Sequence, residues 1–179
     1  MTEFTSPYHA LAVMAEMSRQ QASGLPQQET FEQTWTGVGF RISGYAVVSP
    51  MSHVTELLTP PSVTHLPGVQ PWVLGVANVR GRLVPVIDLC GFLGLTRQGP
   101  RQSQRVLLVE QGDILVGLLV EQVQGMQHFS VNDSTENTNT VPDVLAEYVE
   151  GAYRKNKETW LMFSMEKLLS QDKFMQVAA

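Results

Sequence analysis

Arg80 and Arg82 bracket Gly81 in the stretch Asn78-Val79-Arg80-Gly81-Arg82, between two apolar runs. A guanidinium held on a tight turn is a rigid planar donor, suited to gripping a carboxylate. Glu56, in the extended segment VTELL, is the acid expected to face Arg80, whereas Arg82 is expected to be a solvated turn residue. An exposed pair of this kind contributes only about 0–1 kcal/mol. Its value would lie in shaping a surface. The other residues that could do chemistry are dispersed. His9, His53, His65 and His128 show no metal-ligand spacing, and no Cys joins them. Cys90, the single cysteine, follows Leu89 in an apolar setting and reads as a buried small hydrophobe. The serines fall in turns and caps, where a hydroxyl serves the backbone. GVGF at 37–40 is too short for a phosphate loop, and residues 73–82 lack the dinucleotide glycine spacing. These residues predict docking without catalysis, with no metal and no cofactor.

Composition narrows the partners. The 179 residues are 43% hydrophobic and 16% charged, which fits a folded chain, and the net charge is −5. That charge argues against nucleic acid or an anionic membrane as the main partner. Arg80, Arg82, Arg97, Arg101 and Arg105 nevertheless crowd into residues 80–105 with only Asp88 against them, a span that could meet an acidic face. The longest apolar run, Ile114–Val120, is far too short to span a bilayer. No signal peptide is read at the N-terminus, so a cytoplasmic protein is expected.

The elements that must position the Arg-Gly-Arg turn are mostly strands. Residues 6–23 predict a helix, with Ser6 as cap, Pro7 in its first turn and an apolar stripe of Tyr8, Leu11, Ala12 and Ala15. A Gln-rich linker follows at 26–34. Strand patterning starts after Trp35. Hairpins are expected at 37–48 around Ser43-Gly44, at 76–87 around Gly81, at 106–120 around Gln111-Gly112-Asp113, and at 149–163 around the KNKE turn. Val106–Val109 and Ile114–Val120 are continuous apolar runs whose β-branched content and short length favour strands buried on both faces. Val123–Phe129 is expected to continue that sheet. Pro85 has no N–H to donate and should lie at an edge or bulge. Helical turns are expected at Trp72–Leu74, after Asp88, at Asp143–Tyr148, and at Met165–Leu169 behind Ser164. Many short strands with close turns suggest small β-barrels.

GVANVRGRLVPVIDL, residues 75–89, resembles the signature of the CheW-like adaptor family, GV-x-NLRG-x-x-x-PV-x-DL, with Val79 for the usual Leu. VTELLTPPSVTHLPGVQPWVLG resembles the family's V-x-E segment, ILVGLLVEQVQGM its G-x-x-VD-x-V strand with Glu121 for Asp, and YVEGAYRKNKETWLMFSMEKLL its closing hairpin and helix. Within the family the nearest resemblance is to adaptors of type IV pilus, twitching-motility systems. The resemblance implies a mainly β fold of two SH3-like five-stranded β-barrels sharing a core, with short helices and an N-terminal helical extension. It implies residues 1–35 as that extension and its linker, 36–170 as the CheW-like domain and 171–179 as a C-terminal tail. It also implies a non-catalytic signalling adaptor that joins the cytoplasmic tip of a chemoreceptor to the regulatory domain of a CheA-type histidine kinase, recruited to membrane-bound receptor arrays. Carried onto this chain, the receptor interface falls on Val54, Glu56, Asn78 and Arg80, and the kinase interface on Leu57 and Leu58. The competing class is a small β-barrel nucleic-acid-binding protein, which the Arg cluster allows and the net charge opposes.

Overall fold

The computed structural model describes residues 7–21, 34–135 and 141–178. Ser6 and residues 22–23 of the expected helix, residues 26–33 of the expected linker and residues 136–140 lie outside them. The chain divides into two units, with the break between Glu32 and Gln33. The first contains α1, Pro7–Gln21, on which Tyr8, Leu11, Met14 and Met17 are all exposed.

The second unit is built from two sheets. Its strands, in chain order, are β1 (Thr34–Ile42), β2 (Tyr45–Pro50), β3 (Val54–Leu58), β4 (Val73–Val79), β5 (Arg82–Asp88), β6 (Arg105–Gln111), β7 (Ile114–Val120), β8 (Gln122–Ser130), β9 (Ser134–Thr135), β10 (Val149–Lys155) and β11 (Glu158–Phe163). One sheet runs β8-β1-β2-β11-β10-β9 and the other β3-β6-β7-β5-β4. All four expected hairpins form, as antiparallel pairs β1–β2, β4–β5, β6–β7 and β10–β11. Two parallel contacts, β11 with β2 and β5 with β7, complete the sheets.

Burial explains the strand compositions. β6 and β7 carry four and five successive buried residues, so neither face meets water. Phe40, Val47, Ile87, Leu107 and Leu118 come from both sheets and form one shared core with Leu145, Phe163 and Leu168. Each sheet also wraps a small cluster of its own. In the first, Ala46, Val48, Phe129 and Trp160 pack with Trp35 and Tyr153. In the second, Ala77, Val86, Val106 and Leu119 pack with Leu58 and Leu74. The GVGF glycines belong to this packing. A Cβ on Gly37 would lie 2.6 Å from the Ser49 carbonyl oxygen, and one on Gly39 would lie 2.7 Å from the Trp160 ring. Side chains there would push the sheet off its own core.

Three expectations are corrected. Trp72–Leu74 is not helical, because β4 already begins at Val73, which pairs with Ile87. The Trp72 carbonyl accepts from the Asp88 N–H at 2.8 Å, so the ladder extends to the end of the signature. β8 does not continue the sheet of β7; the chain crosses at Glu121, and β8 pairs with β1 in the other sheet. Pro85 lies in an internal strand. It is tolerated because pairing with β7 begins only at Val86, one residue later. Residues 171–178, expected as a C-terminal tail, are packed against the rest of the second unit. The helix α5, Asp172–Met175, seats Phe174 between Trp72 and Phe92, at ring distances of 6.1 and 5.2 Å. Val69 then pairs with Ala178, and the Gln70 N–H donates to the Val177 carbonyl at 2.9 Å. The other short helices, α2 (Leu89–Phe92), α3 (Asp143–Ala146) and α4 (Met165–Leu169), stand where expected. The Ser164 hydroxyl caps α4 by accepting from the Lys167 N–H at 3.4 Å.

Candidate docking surface

The β4–β5 turn holds its arginines by backbone conformation. Arg80 and Gly81 sit at φ +51° and +83°, the left-handed pair of a two-residue hairpin turn closed by Val79 and Arg82. Gly81 reaches this region freely, whereas Arg80 adopts it at some cost. The Asn78 side chain pins the turn, its Oδ1 accepting from the Gly81 N–H at 2.8 Å.

From this turn the Arg80 guanidinium donates to Glu56 at 2.7 Å, with Arg80 78% exposed and Glu56 23% exposed. Arg82 is not simply solvated. It donates to Glu110 of β6 at 3.1 Å. The two contacts also report the curvature of the sheet. β3 and β4 are its opposite ends, four strand spacings or about 19 Å apart if the sheet were flat. A side chain of β4's turn touches one of β3 because the sheet curls into a barrel. The Glu56–Arg80 pair closes that barrel at its rim.

Beside the pair lies a groove of about 460 Å³, lined by Val38, Met51, Val54, Thr55, Glu56, Leu57, Gly125 and Met126. Its walls are β3 and β8, the terminal strands of the two sheets. Val54 forms part of the floor and packs on the shared core. Leu57, Met51 and Met126 stand in the walls at 45%, 49% and 59% exposure. Gly125 sits at φ +75° beside the irregularity at Gly39/Phe40, which offsets β8 from β1 where Met126 enters the groove.

The structure thus brings Val54, Glu56, Leu57 and Arg80 around one surface, with Asn78 supporting its turn. It separates Leu57 from Leu58. The register of β3 against β6 shifts between Val54 and Glu56, and beyond it Leu58 turns inward onto the cluster of Ala77 and Val106. Met51 and Met126 were not expected here. Nothing in their local patterns marks them, since they meet only across two sheets.

A second polar centre lies where β7 passes to β8. Glu121 is only 4% exposed, and its carboxylate accepts from the Gly44 N–H at 3.0 Å and from the Gln98 N–H. It ties the β1–β2 turn to the loop before β6. The Cys90 thiol lies 3.7 Å from the same carboxylate. Burial, aided by the negative charges of Glu121 and Asp88, pushes that thiol up to about 12. Cys90 is therefore a protonated core group at neutral pH and a poor nucleophile. Asp88, instead of capping α2, binds Arg97 at 2.8 Å.

These contacts reduce the basic character of residues 80–105. Arg80, Arg82 and Arg97 each meet a carboxylate, and Arg105 donates to the carbonyls of Gln102 and Gln104. A phosphate-tracking stripe would need such charges turned outward and unneutralised. Among the described residues, no group of three or more His, Cys, Asp or Glu is placed to hold a metal, and no helix is long and apolar enough to cross a membrane.

The model of the CheW-like domain matches residues 36–173. The chain is 42% identical over 178 residues to Protein PilI of Pseudomonas aeruginosa, covering 99% of each chain. It is 30% identical over 152 residues to Protein FrzA of Myxococcus xanthus, covering 83% of this chain and 89% of that one. It is 25% identical over 157 residues to the chemotaxis protein CheW of Helicobacter pylori, covering 86% and 93%. The crystal structure of scaffolding protein TtCheW from Thermoanaerobacter tengcongensis superposes with a TM-score of 0.67 at 22% identity, covering 79% of this chain and 96% of that chain. The fold is accordingly mainly β, with the two SH3-like barrels that the resemblance implies, the short β9 adding a sixth strand to one sheet where five were expected.

Proposed function

The chain belongs to the CheW-like domain family, and we propose that it is a non-catalytic adaptor coupling a chemoreceptor to a CheA-type histidine kinase in the control of type IV pilus twitching motility. The observation that carries the reading is the apolar groove between the free edges of the two sheets, flanked by the Glu56–Arg80 pair. A groove of this size, open to solvent and walled by Leu57, Met51 and Met126, suits the apolar ridge of a helical hairpin such as a receptor's cytoplasmic tip. Asn78 and Arg80 would supply polar contacts at its rim. Leu57, at the groove mouth, would also border the kinase's regulatory domain, with Leu58 supporting it from inside the barrel. The identity with Protein PilI extends over nearly the whole chain, residues before the matched domain included, and supports the twitching-motility assignment. The proposed working place is the cytoplasm, at membrane-bound receptor arrays.

The test is direct binding, with receptor and kinase fragments measured separately. Val54→Glu puts an unpaired charge on the groove floor and should abolish receptor-tip binding while kinase binding persists. Receptor binding unchanged in a folded Val54→Glu protein would remove the groove from the function.

A further inference from the structure

The groove walls carry two thioethers, Met51 and Met126, about half exposed at 49% and 59%. They come from opposite sides, one from the turn before β3 and one from β8, whereas Met165 is 1% exposed inside the shared core. Thioether oxidation follows solvent access, so a dissolved oxidant reaches the groove pair and not the core residue. We propose that Met51 and Met126 are a peroxide-sensitive modification site that switches off docking in this groove. The proposal rests on the reading of the groove as the receptor site.

In the reaction the peroxide O–O bond breaks. One oxygen becomes the sulfoxide oxygen, the sulfur losing two electrons, and the other leaves as water. No carbon–sulfur bond is cut, and a thiol-dependent sulfoxide reductase can return the thioether. The product is a strongly polar S=O group on a wall that is mostly apolar. While the groove is empty this group is solvated and the fold is undisturbed. When an apolar ridge enters, the oxygen must shed its water against a lining that is largely apolar, with Val38, Val54 and Leu57 outweighing the polar Thr55 and Glu56. The cost therefore falls on binding and not on stability.

The experiment uses the full chain, a receptor cytoplasmic-tip fragment and dilute hydrogen peroxide. Peptide mass spectrometry should find sulfoxide at Met51 and Met126 before Met165. Receptor affinity should fall by about tenfold or more, with an unchanged unfolding midpoint and recovery after sulfoxide reductase. In the double variant M51L/M126L, the ratio of affinities with and without peroxide should drop to about one, whatever its starting affinity. This ratio discounts the other exposed methionines, Met14, Met17 and Met175, which the variant retains. Oxidised protein that still binds the receptor, or a double variant as peroxide-sensitive as the parent, would overturn the proposal. The unoxidised Val54→Glu control separates the two readings. If it loses binding while peroxide has no effect, the switch fails and the groove stands; if it binds normally, the groove itself fails.

Discussion

Removing the Arg80 side chain should separate stability from recognition, and its consequences can be worked from the turn geometry. Arg80 makes one ion pair at 2.7 Å while remaining 78% exposed, so most of its Coulomb energy is screened by water. Losing that pair should cost about 0–1 kcal/mol. Arg80 also holds φ +51°, which costs a residue bearing a Cβ about 1–2 kcal/mol and costs glycine little. Arg80→Ala loses the pair and keeps the backbone cost. Arg80→Gly loses the pair and relieves it. The alanine variant should therefore unfold at the parent midpoint or up to about 4 °C lower, and the glycine variant at or above the alanine variant. Both delete the same guanidinium from the rim of the groove. A hydrogen bond to a charged group is worth about 1.5–3 kcal/mol in an interface, so both should weaken receptor-tip binding by about tenfold or more. The assay is thermal unfolding alongside isothermal titration with receptor and kinase fragments. Exchanging the charges, Glu56→Arg with Arg80→Glu, should restore part of the loss from either single reversal if the two act mainly on each other. Two results would refute the reasoning: full receptor affinity in both folded variants, or a glycine variant several kcal/mol less stable than the alanine one.

Phe174→Ala should lower unfolding free energy by about 3–5 kcal/mol, because it empties a site 3% exposed between Trp72 and Phe92; denaturant titration against the parent measures it. Native Cys90 should resist iodoacetamide at pH 8 and react on unfolding. Its folded value of about 12 lies above the 9.0 of the free thiol, so the folded state keeps the proton longer. Its stabilising contribution is full below pH 9 and is lost as pH rises from about 9 towards 12, which a comparison with Cys90→Ala over that range would reveal. Deleting residues 1–34 should leave a cooperative body, since both sheets and their core lie beyond them, apart from the first residue of β1; a non-cooperative transition in the truncated chain would contradict this.

The strands and their hairpins were legible because they depend on neighbours in the chain. Apolar runs at 106–109 and 114–120 and turn residues at 43–44, 81 and 111–113 encode local geometry, and pairing followed. Cys90 was likewise readable as core from its apolar neighbours. Alternation along VTELL already puts Leu57 and Leu58 on opposite faces. Which face meets the groove was not readable, because that depends on where β3 lies in its sheet and on what β8 places beside it. Trp72 looked like the start of a helical turn because the bond from Asp88 that makes it a strand partner arrives from the far side of a hairpin. Phe174 looked like part of a tail because its pocket is made by residues 82 and 102 positions earlier in the chain. Glu121 read as a conservative replacement. Only folding brings the Gly44 and Gln98 amides to its carboxylate, 77 and 23 positions away. By itself the sequence determined most of the strands and that one turn would present Arg80 and Asn78. The tertiary structure decided the groove, because its walls come from residues 38, 51, 54–57 and 125–126, and a surface made by distant segments exists only once both sheets have closed on their shared core.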